Sequence, residues 1–266
     1  MKTSDETLLI HCPAAPGFNP VVRLGERGMK LTEYGLLTLA AGADWEADTG
    51  EFEEALVFLG GRARVAGAGF DFADVGGRAD VFSGKPHTVY LPRRTRYRVT
   101  ALTPLDIGVN RSPASRDTAP PGVIAPEQTR ELVIGRDNFL RRATVILDET
   151  FDSEHFYIGE GMIPSGNWSG WPPHRHDSDN PPQEIDMEEV YFYRFNPPQG
   201  FGIQKVYTGD GRIDETYTVK HNDAVAIAAG YHPLCGAPGY AMYYLWTMTG
   251  AKHRGLISHK DPDHLS

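Results

Sequence analysis

The sequence predicts an all-β chain folded as two stacked jelly-roll barrels of the double-stranded β-helix type. Three observations predict it. Short runs rich in β-branched and aromatic residues recur along the chain. Turn residues are frequent, with 29 Gly and 20 Pro among 266 residues. No segment sustains a 3.6-residue apolar period. The length suits two halves of roughly eight or more strands each.

Taken in order, residues 1–20 read as an irregular entry arm ending at Gly17–Pro20. Strand-like runs follow at ALVFLGG (55–61), HTVYLPR (87–93), RYRVTAL (96–102) and LDIGVN (105–110). The Pro/Ser/Ala-rich stretch 111–125 predicts a linker. The boundary falls there, giving a first half of residues 1–120 and a second of residues 121–266. Strands resume at ELVIG (131–135), ATVILDE (143–149) and HFYIGEGMI (155–163). Beyond residue 188 come EVYFYRF (189–195), GFGIQKVYT (200–208), ETYTV (215–219), DAVAIA (223–228) and YAMYYLWTM (240–248), with NPPQG (196–200) as a hairpin turn. The tail from Ala251 is polar and predicts a mobile end.

The net charge of −9 and the lack of a basic run argue against nucleic acid and anionic membrane surfaces as partners. No apolar stretch approaches 20 residues and the start lacks an apolar leader core, so a cytoplasmic protein is expected. Cys12 and Cys235 are the only cysteines, which predicts no structural disulfide. A small-molecule partner fits this balance, and a homo-oligomer stays open.

The chemistry concentrates in WPPHRHDSDNPPQEIDMEE (171–189). On an extended strand His174 and His176 share a face. Glu189 opens the next strand and comes beside them if the intervening loop turns back. His232, in AAGYHPL, is the fourth candidate. Three neutral imidazoles and a carboxylate make a mixed N/O set that suits zinc first, and also iron, manganese or nickel. The plain alternative for His174 and His176 is a solvated loop, since Pro172 and Pro173 favour extended backbone in either case. Arg175 should point away from the metal face. Tyr191 and Tyr193 share the face of Glu189. Tyr191 sits one step from the carboxylate, whereas Tyr193 reads as core packing.

The halves also look like a diverged repeat. Glu53–Glu54 before ALVFLGG matches Glu188–Glu189 before VYFYRF, with Pro92 opposite Ala228 and Arg96 opposite His232. In that register the first half has no HxH pair and is expected to hold no metal.

PPHRHD, EEVY, NPPQGF and GYHP together resemble the 5-deoxyglucuronate isomerases of inositol catabolism, whose relatives include the pectin-pathway 5-keto-4-deoxyuronate isomerases. The resemblance is close over most of the second half and looser over the first. It implies a two-domain cupin (bicupin) fold and a divalent metal on His174, His176, Glu189 and His232, with Glu188 as the alternative carboxylate. It implies an intramolecular oxidoreduction that converts an aldose acid, 5-deoxy-glucuronate, into the keto acid 5-dehydro-2-deoxy-gluconate. The chain departs from the pattern at Ala228–Ala229, where relatives carry Pro and a basic residue. For that chemistry Lys205 and Tyr191 are the candidate catalytic residues, with Lys205 also a candidate for the substrate carboxylate. Rival readings are the pectin-pathway isomerase, a metal-dependent cupin dioxygenase and a non-catalytic sugar-binding cupin.

Overall fold

A computed structural model describes residues 7–13 and 15–265. Among them there is no α-helix; strands alternate with turns and three single 3-10 turns. The first half pairs a six-stranded sheet with a four-stranded one. The larger runs Gly122–Ile124, Thr88–Leu91, Phe52–Gly60, Leu105–Pro113, Glu33–Leu39, Gly17–Val22. The smaller runs Asp44–Asp48, Arg96–Ala101, Arg62–Gly67, Phe70–Gly76. In the second half a seven-stranded sheet runs Leu9–His11, Asp223–Ile227, Glu188–Asn196, Ala241–Thr249, Phe156–Ile163, Arg141–Leu147, Arg130–Ile134. It faces a four-stranded sheet of Trp168–Ser169, Leu234–Gly236, Phe201–Tyr207 and Asp214–Lys220.

Alternation along the strands divides the apolar residues among three cores. On Glu188–Asn196, Val190 and Phe192 point to the face shared by the two large sheets. Tyr191, Tyr193 and Phe195 point into the second barrel with Trp246 and Met248. The first barrel closes on its own core around Leu37, Phe58, Val89 and Ile107. The shared core therefore joins the halves back to back.

Polar ties reinforce that joint. The buried Arg78 guanidinium forms a two-pronged bond to Glu160, at 3.0 Å on each side, and Tyr243 donates to the same carboxylate at 2.9 Å. Glu188 accepts the backbone N–H groups of Lys30, Leu31 and Thr32 at 2.7, 2.8 and 3.1 Å. In the first half Glu53 accepts those of Glu154 and His155, both at 2.8 Å. Each half thus lends a carboxylate to the turn that opens a strand of the other. This use of Glu188 turns it away from the second barrel, because consecutive strand residues face opposite sides.

Three segments differ from what the sequence suggests. The entry arm contains two strands, and Leu9–His11 pairs antiparallel with Asp223–Ile227 of the other half. Within the expected linker, Gly122–Ile124 pairs with Thr88–Leu91. The polar tail is held too: His259–Lys260 pairs with His174–Arg175, and Asp261 accepts the Tyr207 hydroxyl at 2.5 Å. All three depend on partners far away in sequence, which local composition does not reveal.

Candidate metal centre

The strand register brings the two halves into correspondence around one glutamate each. Glu189 lies opposite Ile227, and Glu54 lies opposite Leu91. In the second half Glu189 meets imidazoles. His176 Nε2 is 3.1 Å from Glu189 Oε2, and His232 Nε2 is 3.2 Å from the same oxygen. The donor atoms of His176, Glu189 and His232 all lie within 4.8 Å of one another, and all three residues are buried.

Each imidazole is oriented by backbone. His176 Nδ1 donates to the Met187 carbonyl at 2.7 Å, and the Met187 N–H returns a bond to the His176 carbonyl at 2.7 Å. This reciprocal pair turns the 177–187 loop back, so that Glu189 follows beside the histidine. His232 Nδ1 donates to the Gly230 carbonyl at 2.8 Å. Gly230 has φ of +100°, and a Cβ there would stand 2.7 Å from the Tyr207 carbonyl oxygen, so only glycine fits the turn. A ring N–H of His174 is bonded to the Pro172 carbonyl. With one nitrogen donating to backbone, the other carries the lone pair that a metal would take. His232 Nε2 is buried and makes no well-aligned hydrogen bond, its polar neighbour being the Glu189 oxygen 3.2 Å away.

Of the four expected ligands, His174 stands at the rim. Its ring centroid is 4.8 Å from that of His232 and 6.3 Å from that of His176. Burial, then the neighbouring His232 and His176, pull its pKa down to about 3, so the ring is neutral at ordinary pH. Burial opposes ionisation of Glu189, but the His176 and His232 imidazoles outweigh it and hold the carboxyl at about 2. Burial likewise pulls on His176, yet the bond and charge of Glu189 leave its pKa raised. An ionised Glu189 beside a neutral His174, with His176 able to give up its proton to an incoming ion, suits a cation. Residues present and chemistry implied therefore fit.

His174, His176 and Glu189 line a cavity of about 280 Å³ together with Arg141, Ser169, Tyr191, Tyr244, Trp246 and Met248. Gly161 makes room for it, since a Cβ there would fall 2.2 Å from the Tyr244 ring. Residues 255–258 and Lys260 of the tail complete the wall.

Tyr191 is where the sequence places it. Its ring is 5.9 Å from His232 and 5.1 Å from Tyr244. Burial and the Glu189 charge raise the phenol well above its ordinary pKa, which keeps it protonated. Tyr193 instead donates to Gln204 Oε1 at 2.8 Å. Lys205 is not brought to the cavity. It pairs with Asp214 on the other side of its strand. The reason is the phase of alternation in Phe201–Tyr207: Gly202, Gln204 and Val206 are the inward residues. The inward neighbour is Gln204, which no motif in the sequence singles out. It is fully buried, and its amide donates to the carbonyls of His232 and Pro233 at 2.9 and 3.2 Å. Arg175 turns outward to Glu184 and Asp177.

The equivalent place in the first half is filled differently. Tyr97 donates to Glu54 Oε2 at 2.5 Å and Arg111 to Glu54 Oε1 at 2.8 Å. Arg96, expected opposite His232, faces solvent and pairs with Asp48 at 2.9 Å.

Two β-barrels back to back, one carrying a His/Glu/His cluster at its cavity, define a bicupin with a metal-type centre in its second half. Comparison with known proteins carries this further. Residues 10–266 match the model of the KduI/IolB family, and the chain belongs to that family. A 5-deoxy-glucuronate isomerase of Geobacillus kaustophilus is 38% identical over 89% of this chain and 86% of its own length. One from Bacillus subtilis strain 168 is 34% identical over 87% of this chain and 86% of its own. The crystal structure of an IolB-like protein from Salmonella typhimurium LT2 superposes with a TM-score of 0.91 at 32% identity, covering 97% and 98% of the two chains. An oxalate decarboxylase from Lactobacillus farciminis shares the fold, with a TM-score of 0.65 at 12% identity over 96% and 86%.

Proposed function

We propose that this chain is a 5-deoxy-glucuronate isomerase that depends on a divalent metal, zinc in the first instance, held by His174, His176, Glu189 and His232. The observation that carries the metal is the buried Nε2 of His232 beside the ionised Glu189. Family membership supports the reaction.

The reaction moves a hydrogen from a hydroxyl-bearing carbon to the adjacent aldehyde carbon. Both electrons stay on the substrate, so no redox partner is required. When bound, a divalent ion would act as a Lewis acid toward the substrate carbonyl oxygen. The protein's own part lies around it. Tyr191, protonated by virtue of its burial, is a hydrogen-bond donor one strand step from the cluster and would hold a proton at the substrate oxygen. The Gly230 turn and the Met187 bridge fix the imidazoles before substrate arrives, so no reorganisation is needed at that moment. Trp246, Met248, Leu256 and Ile257 give the cavity an apolar wall.

The test is an anaerobic assay of 5-deoxy-glucuronate conversion on chelated protein, with and without added zinc, manganese, iron or nickel. Turnover lost on chelation and restored by one of these ions, with no oxygen consumed, is expected. Full turnover by rigorously metal-free protein would reject the metal. Oxygen-dependent loss of substrate would favour a dioxygenase instead.

A further inference from the structure

We propose that Arg141 is the residue that grips the carboxylate of the substrate and so selects sugar acids over neutral sugars. This rests on the reading of the chain as a uronate isomerase, which requires an anchor for a carboxylate but does not say where it lies.

Among the described residues two arginines are buried, Arg78 at 6% and Arg141 at 8% exposure. Arg78 is neutralised by Glu160. No carboxylate faces Arg141 among the described residues. Its bonds are long ones to the carbonyls of Phe139 and Trp171, at 3.3 and 3.4 Å, and a contact with the Tyr244 hydroxyl. A guanidinium carries five N–H donors, so part of its capacity is left for a ligand. A buried cation without a counter-ion is costly unless a ligand completes it.

Its position is apt. Arg141 lines the same cavity as His174, His176 and Glu189. Tyr244 links the two ends: Ser169 Oγ meets its hydroxyl at 2.7 Å, and its ring lies against Tyr191, which in turn lies against His232. An acid spanning the cavity would present its carboxylate to Arg141 and its carbonyl end to the cluster. A planar fork matches a carboxylate with two parallel bonds, which an ammonium does not. Lys260, the other cation of the wall, is exposed and belongs to the mouth. Lys205 is already paired with Asp214 outside the cavity.

The experiment compares wild type, Arg141→Gln, Arg141→Lys and Lys260→Gln. It reads steady-state kinetics on 5-deoxy-glucuronate, and calorimetric binding of D-glucuronate and D-glucose, which differ at the carboxylate. Removing one partner of a buried charge pair predicts a KM at least about 30-fold higher for Arg141→Gln. kcat should change far less, bound metal should not change, and the preference for glucuronate over glucose should vanish. Arg141→Lys should recover part of it, and Lys260→Gln should keep nearly all. In wild type, glucuronate but not glucose should shield Arg141 from phenylglyoxal, a readout that needs no variant to fold. Unaltered KM and unaltered acid preference in Arg141→Gln, in a wild type that turns substrate over, would overturn the assignment of Arg141 alone. A wild type that neither isomerises the acid nor prefers it would remove the isomerase reading and this proposal together.

Discussion

Lowering the pH should weaken metal binding by about one proton's worth. Metal and proton compete for the same lone pairs, so affinity depends on which ligands hold protons in the metal-free protein. His174 stays neutral until about pH 3 and Glu189 stays ionised until about pH 2, so neither takes up a proton between pH 5 and 8. His176 is the group with a raised pKa, because Glu189 holds its proton. Below that pKa an entering ion must expel the proton, and binding weakens as pH falls. Above it there is nothing to expel. The proton that Glu189 holds on His176 should therefore make Kd rise about tenfold per pH unit once the pH is below that raised pKa. The assay is zinc competition against a fluorescent chelator of known pH dependence, from pH 5.5 to 8.5. Glu189→Gln, which removes the carboxylate that retains the proton, should bind weakly and with a flatter slope. A wild-type slope of two or more protons per ion, or none, would refute the assignment of these charge states.

Other outcomes follow from the same geometry. Tyr191→Phe should lower kcat by about 10²-fold with KM little changed, as expected for a lost proton donor, and metal content measured by mass spectrometry should stay at the wild-type level. Lys205→Ala should leave kcat/KM within about twofold, because the side chain faces Asp214 away from the cavity. Ending the chain before Ala251 removes a cavity wall and the strand beside His174; kcat/KM should fall by about 10²-fold while the far-ultraviolet circular dichroism spectrum keeps its β character.

The approach of His176 to Glu189 is legible in the sequence because its geometry is local, whereas His232 joins them only through the fold. Two residues apart on a strand means one face, and a glutamate opening the next strand needs only a returning loop. The Tyr191 position followed from the same rule. The placement of Lys205 is not legible in the sequence, because alternation shows that neighbours face opposite sides but not which side is inner. Only the packing of Gly202 and Gln204 against the barrel fixes that phase. Arg141 was invisible for another reason. Its significance is a missing partner, and a missing partner becomes apparent only once every neighbour is in place. The strand formed by Leu9–His11 and the pairing of the tail with His174–Arg175 likewise depend on contacts across nearly the whole chain.

The paired glutamates that cross the joint have a consequence for how such a chain can arise or be divided. Glu53 serves residues 154 and 155, while Glu188 serves residues 30 to 32, so each half completes the other. A single ancestral half with this carboxylate would have met the same need only by dimerising, each copy reaching into its twin. Fusing two copies turns that exchange into an internal one. The twin acids are then free to diverge in duty, since the residue beside each, Glu54 or Glu189, faces a separate barrel. One barrel can surrender its ligand chemistry while the seam between the two stays intact. For the same reason, cutting the gene at the junction should give two insoluble fragments that recover shape only when produced together.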